Sequence, residues 1–390
     1  MRTQRTIPAP GSTQSAKRWR AAGCASIVGL LGLTLQPATA ATAKDPTLIR
    51  EFGLVEAAEP VARRAGWRPP RRIVVEAEMP ELADAVRQAA PEATIVSVRT
   101  LAEMLAAVPG AEVAFGRAPW VCNEAVVATG TALRWLQTFG AGIEPCAGRQ
   151  PLIERGVLVT NMRAICGPVM AEHVMGMLLA LTRGLHVSIP RQAAGQWNDD
   201  FSGTRLLELR GKTLLVVGLG GIGKEVARLA SAFDMRVIAT RATRQRRPAF
   251  VAYVGLQDEL PQLIATADVI VNTAPLTPTT RGLFDKAMFA RMKPSALFIN
   301  VARGGAVVTD DLADALESRR IGGGAVDVTD PEPLPAEHRL WRAPNLIVTP
   351  HMSAGSDGCT AGRLRLIREN LRRYVAGERM LSVADVVRGY

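Results

Sequence analysis

The chain has 390 residues, 48% of them hydrophobic, with 35 glycines and 25 prolines; this excludes a disordered protein and suits two domains or more. A formal net charge of +11 raises the question of nucleic acid, yet five of the basic residues lie within residues 1–40, which contain no acid. Aromatics make up only 5% and no basic stripe is interleaved with them, so base stacking has little material and nucleic-acid binding is set aside.

In chain order, a basic stretch at Lys17-Arg18-Trp19-Arg20 precedes an apolar run from Ala21 to Leu35 and small residues at Ala38-Thr39-Ala40. That order is the signature of an export signal peptide over residues 1–40, and the run falls short of the roughly 20 apolar residues of a membrane span. The mature chain is therefore expected in the periplasm without a stable membrane span; a cytoplasmic protein with an uncleaved extension is the alternative. Removal of the leader leaves Cys122, Cys146, Cys166 and Cys359. Their spacing offers no Cys-x-x-Cys, so no metal site is expected. Four cysteines allow two disulfides in three connectivities, but buried free thiols are the expected state.

Residues 41–71, with Pro46, Pro60, Pro69 and Pro70, read as a linker or N-terminal arm. Short β-branched runs then alternate with segments apolar at helical spacing, which predicts a parallel sheet flanked by helices. Strands are expected at Ile73–Val75, Thr94–Val98, Glu112–Phe115, Leu133–Thr138 and Val157–Thr160. A single helix is expected over Val169–Leu185, between Pro168 and Pro190. A second alternating series predicts strands at Leu214–Val217, Arg236–Ala239, Val269–Asn272, Ala296–Asn300, Gly323–Val326 and Leu346–Val348. A C-terminal helix is expected over Arg363–Val375.

Within this second series, Leu214–Val217 runs into Gly218-Leu219-Gly220-Gly221-Ile222-Gly223, and a helical stretch follows. Strand, glycine loop and helix in this order form a dinucleotide cradle. The first glycine permits the turn, the second lets the backbone approach the pyrophosphate, and the third packs helix on strand. The helix N-terminus then carries the phosphate charge. Where an NAD-selective site places an acid on the ribose, Arg241 follows the next strand. A guanidinium there suits a 2′-phosphate, so NADP is the expected cofactor in preference to NAD.

Three later segments carry chemistry: Asn300-Val301-Ala302-Arg303-Gly304-Gly305, Asp327 through Asp330-Pro331-Glu332-Pro333, and Thr349-Pro350-His351. Reduction of a 2-keto acid needs a cation for the carboxylate and a proton donor at the ketone. Arg303 supplies the first, and His351, held by Glu332, the second. With the glycine loop, Leu209-Arg210-Gly211-Lys212-Thr213 and Pro275-Leu276-Thr277-Pro278-Thr279-Thr280, these segments resemble the D-isomer-specific 2-hydroxyacid dehydrogenase family, which includes glyoxylate/hydroxypyruvate reductases and phosphoglycerate dehydrogenase. The resemblance extends from about Arg72 to the C-terminus.

The resemblance implies an α/β fold of two Rossmann-like or flavodoxin-like domains. An NAD(P)-binding doubly wound domain (167–352) is inserted into a substrate domain (72–166 and 353–390), and the protein is expected to be a homodimer. It implies Arg303, Glu332 and His351 as catalytic residues. Asp327 would meet the nicotinamide carboxamide, and Thr273, Ala274, Pro275, Thr280 and Val301 would line the cofactor. Backbone amides of Ala141 and Gly142 would join Arg303 on a small 2-keto or 2-hydroxy acid. His173, His186 and His338 match no catalytic position. A non-catalytic, NAD(H)-sensing interaction protein of the corepressor type shares this fold and is the alternative reading.

Overall fold

The computed structural model of the chain describes residues 44–389, Met79 excepted. The expected export signal over 1–40 lies outside the described residues. Two wholly parallel sheets account for the strands. The first is built from β1 (Arg72–Glu76), β2 (Thr94–Val98), β3 (Val113–Gly116), β4 (Trp135–Thr138) and β5 (Leu158–Thr160), in the order β2-β1-β3-β4-β5. The second contains β6 (Thr213–Val217), β7 (Arg236–Arg241), β8 (Tyr253–Leu256), β9 (Val269–Asn272), β10 (Leu297–Asn300), β11 (Gly323–Val326) and β12 (Leu346–Val348), in the order β12-β11-β10-β9-β6-β7-β8. β3, β4, β9 and β10 are buried along their whole length, as expected for parallel strands covered on both faces.

The chain crosses between the sheets twice. It leaves the first through the helix Gly167–Thr182 and returns through Asp357–Val375, which Ser356 caps by accepting from the Cys359 amide. Leu366, Ile367, Leu371 and Tyr374 of that last helix lie in the first core, where Tyr374 stacks on Trp135 with ring centroids 4.9 Å apart.

Two expectations change and one is extended. Of the linker or N-terminal arm expected at 41–71, residues 44–71 form a packed arm: Leu48, Leu54 and Val61 are buried in the first core, and Glu56 bridges antiparallel to Leu381. The helix expected over Val169–Leu185 is present as Gly167–Thr182, ending just before Gly184 at φ +66°, and an unanticipated second helix, Leu185–Ala193, runs through Pro190. The expected free thiols are disulfides, Cys122–Cys146 and Cys166–Cys359, since the fold brings their Cα atoms to 5.0 and 4.9 Å, within bridging range. The second bridge fastens one inter-sheet crossing to the other. Among the described residues no helix is long and apolar enough to cross a membrane.

Candidate active site

In the second sheet the strand order reverses between β6 and β9, which opens a crevice at their C-terminal ends. The expected cofactor residues sit there because each follows a strand: Gly218 follows β6, Thr273 and Ala274 follow β9, Val301 follows β10, Asp327 follows β11, and Arg241 ends β7. Gly218 turns at φ +95° with the backbone of Ala274 so near that a Cβ would lie 2.7 Å from it. A Cβ on Gly223 would overlap the Gly218 carbonyl, so the helix Gly221–Ala232 seats on β6 only with glycine there. Gly220 has no protein atom within 4 Å of its own Cβ position, so its open face is available to a ligand. Gly221 and Ile222 form the first turn of the same helix.

Arg241 Nη2 donates to the Leu219 carbonyl at 2.9 Å, whereas its buried Nη1 has no partner among the described residues. Burial pushes the guanidinium pKa down, a cost that an anionic partner would relieve. Arg241 borders a cavity of about 120 Å³ shared with Arg244, Gln245, Val254, Gly255 and Leu256. These residues fit a phosphate-bearing ribose. Thr273 Oγ1 donates to the Gly218 carbonyl at 2.7 Å, tying β9 to the glycine loop. Thr280 is buried and donates to the Pro275 carbonyl at 2.6 Å, so its hydroxyl shapes the 275–280 turn.

His351 Nδ1 lies 2.5 Å from Glu332 Oε1, and the pair is partly exposed. The histidine occupies a left-handed turn, φ +52°, which costs energy in a non-glycine residue and persists where surrounding contacts impose it. Asp327 imposes it. Its carbonyl accepts from the His351 amide at 2.8 Å, while its carboxylate accepts from Thr349 Oγ1 (2.6 Å) and the amides of Met352 (2.9 Å) and Ser353 (3.0 Å). Burial opposes ionisation of Asp327, but the hydrogen bonds from Ser353, Thr349 and Met352 outweigh it and hold the pKa below the usual carboxylate range. His173 Nε2 stands 3.1 Å from Thr349 Oγ1, which joins the first crossing helix to this turn. His338 accepts from the Leu340 amide at 3.1 Å, and His186 contacts the Ala180 carbonyl at 3.1 Å, away from this cluster.

Arg303 directly follows the residues that leave β10. Gly304 beside it approaches the Thr329 backbone so closely that a Cβ would overlap the carbonyl, which brings the Arg303 turn against the loop leading to Glu332. Arg303 Nη1 donates to the Ala302 carbonyl at 2.7 Å and Nε meets Glu144 Oε1 at 2.9 Å. Glu144 comes from the turn after β4, the same turn that carries Ala141 and Gly142. The amides of those two residues donate to no protein acceptor among the described residues. The sequence reading missed Glu144 because nothing local to the turn announces a partner on the other sheet.

Comparison with known proteins accords with this arrangement. Residues 175–353 match the D-isomer specific 2-hydroxyacid dehydrogenase, NAD binding domain. Glyoxylate reductase/hydroxypyruvate reductase of Homo sapiens is 33% identical over 261 residues, 65% of this chain and 78% of that protein. The chain spans 59% and 50% of the D-3-phosphoglycerate dehydrogenases of Methanocaldococcus jannaschii and Synechocystis. Among solved structures, a D-isomer specific 2-hydroxyacid dehydrogenase family protein from Aeromonas salmonicida is similar with a TM-score of 0.71 and 30% identity, over 81% of this chain and 99% of that one. An NADPH-dependent glyoxylate/hydroxypyruvate reductase from Sinorhizobium meliloti, solved with NADP and sulfate, gives 0.68 and 26% over 82% and 99%. The chain belongs to the D-isomer specific 2-hydroxyacid dehydrogenase family of NAD(P)-dependent oxidoreductases.

Proposed function

We propose that the protein reversibly reduces a small 2-keto acid to the D-2-hydroxy acid, with NADPH preferred over NADH. The observation that carries this reading is the His351–Glu332 contact of 2.5 Å, made at the strand ends that bear the dinucleotide crevice. When bound, NAD(P)H supplies the hydride. Glu332 holds Nδ1 of His351, so Nε2 is the atom that gives a proton to the carbonyl oxygen, and takes it back in the oxidation direction. Arg303 and the amides of Ala141 and Gly142 receive the substrate carboxylate, a placement that fixes the carbonyl for attack. Arg241 pairs with the 2′-phosphate, supported by its partnerless Nη1 and by the NADPH dependence of the Sinorhizobium meliloti relative.

A panel of glyoxylate, hydroxypyruvate and related keto acids, run with NADH and NADPH in parallel, tests this directly. Turnover is expected with one or more acids, faster with NADPH. Cofactor binding without turnover across the panel refutes the enzyme reading in favour of a nucleotide-sensing protein. His351→Ala is expected to lose roughly 10²–10⁴-fold in kcat while retaining cofactor affinity.

The protein acts as a homodimer outside the cytoplasm. The exposed apolar residues Leu185, Ile189, Trp197 and Leu206, on and after one helix, support self-association. Two disulfides and the leader composition support an oxidising, periplasmic setting. A monomer in sedimentation, or an intact Met1 on protein recovered from the cytoplasm, refutes the respective reading.

A further inference from the structure

Glu144 places a fixed negative charge on the cation assigned to the substrate. Its Oε1 lies 2.9 Å from Arg303 Nε, and the two side chains are 29% and 35% exposed. The turn that presents it is anchored on both sides: Ile143 and Cys146 are fully buried, and Cys146 is bonded to Cys122. The pair is pressed against the backbone of Gly142, where a methyl group would overlap both Arg303 Nη2 and Glu144 Oε2. Because Arg303 Nη1 is also engaged by the Ala302 carbonyl, only part of the guanidinium fork is left to a ligand. Glu144 Oε2 has no hydrogen-bond donor among the described residues and lies beside Gly142, whose amide is assigned to the substrate carboxylate.

The geometry points to Glu144 as the residue that sets the permitted charge of the substrate. A keto acid with one carboxylate and an uncharged remainder is accepted, and one carrying a second carboxylate or a phosphate is rejected. The physical cause is like-charge repulsion in a half-buried site, which is expected to weaken binding of a second anion by roughly tenfold. The inference rests on the keto-acid reading above and narrows it to monoanionic substrates.

The test uses D-2-hydroxybutyrate and D-malate, which differ chiefly in a terminal methyl against a carboxylate, titrated by calorimetry into the NADPH-saturated protein. No turnover is required, because both ligands are already reduced. Wild type is expected to bind D-2-hydroxybutyrate roughly tenfold more tightly than D-malate. Glu144→Gln should shrink that ratio about tenfold, and Glu144→Asp, which keeps the charge, should preserve it. An unchanged ratio in Glu144→Gln overturns the inference. So does equal tightening of both ligands, which would mean that Glu144 merely fills an empty site. If neither ligand binds wild type, the keto-acid reading fails and the inference falls with it. A ratio shift in a protein that reduces no keto acid sinks the enzyme reading and leaves the role of Glu144 standing.

Discussion

Replacing Gly220 and Gly223 one at a time by alanine separates a ligand-facing position from a packing position in the same glycine loop. Gly220 has φ −88° and ψ −152°, which alanine adopts freely, and its new methyl would meet no protein atom within 4 Å. Stability should therefore change by less than about 0.5 kcal/mol. The methyl would project into the space assigned to the pyrophosphate and displace charge-assisted amide contacts of roughly 1.5–3 kcal/mol, an affinity loss of about 10- to 150-fold. At Gly223 the methyl would overlap the Gly218 carbonyl and lie 2.8 Å from both Thr273 Oγ1 and Val216 Cγ1. Loop and strand are packed there, so the cost falls on folding, about 1–3 kcal/mol. Thermal melts combined with NADPH fluorescence titration read both effects. The reasoning is refuted if Gly220→Ala melts as early as Gly223→Ala, or if it keeps wild-type cofactor affinity.

Arg241→Ala should lower kcat/KM with NADPH by about 10- to 150-fold, the worth of a charged hydrogen bond, and leave NADH nearly unchanged; equal loss with both would disprove a 2′-phosphate contact. Asp45 is held down to about 2 chiefly by the hydrogen bond from Arg365, and Glu378 to about 2 chiefly by Arg372. A lowered folded-state pKa stabilises fully above the usual carboxylate range and is lost as pH falls through the folded value, so melting temperature should drop between pH 5 and 2, roughly. Arg365→Ala should flatten that drop. Reduction of the Cys166–Cys359 bridge, whose partners are 193 positions apart, should destabilise by about 2–5 kcal/mol, read as the melting difference between wild type and Cys359→Ser without reductant.

Fold class was legible because strands covered on both faces leave continuous apolar runs, as in Leu214–Val217 and Val269–Val271. The strand Tyr253–Leu256 escaped notice because it is a short edge strand with Gly255 inside it and Tyr253 exposed, leaving neither alternation nor an apolar run. The helix Leu185–Ala193 was missed because it runs through Pro190, a residue that reads as a helix stop. At the site, Glu332 and His351 could be named as members of a set of segments that resembles the family, since either residue alone reads equally well as an exposed loop acid or a strand-end histidine. The Glu144–Arg303 pair and both disulfides depend on which loops the tertiary fold brings together, and no local pattern encodes that. Likewise, His173 looked like one polar residue in an apolar helix; its link to Thr349 emerges only once that helix crosses behind β12.

The first core, which joins Leu48 and Leu54 to Leu371 and Leu381, has a consequence for the order of synthesis. A growing chain can finish every strand of the second sheet while the first still lacks the helix and bridge that cover it. The first core thus closes late, once residues 357–389 have been synthesised. Arg365 then meets Asp45 and Glu51, and Cys359 meets Cys166. A chain truncated before residue 357 should keep a folded second sheet beside an open, protease-sensitive first sheet, and the Cys166–Cys359 bridge marks closure of the first core.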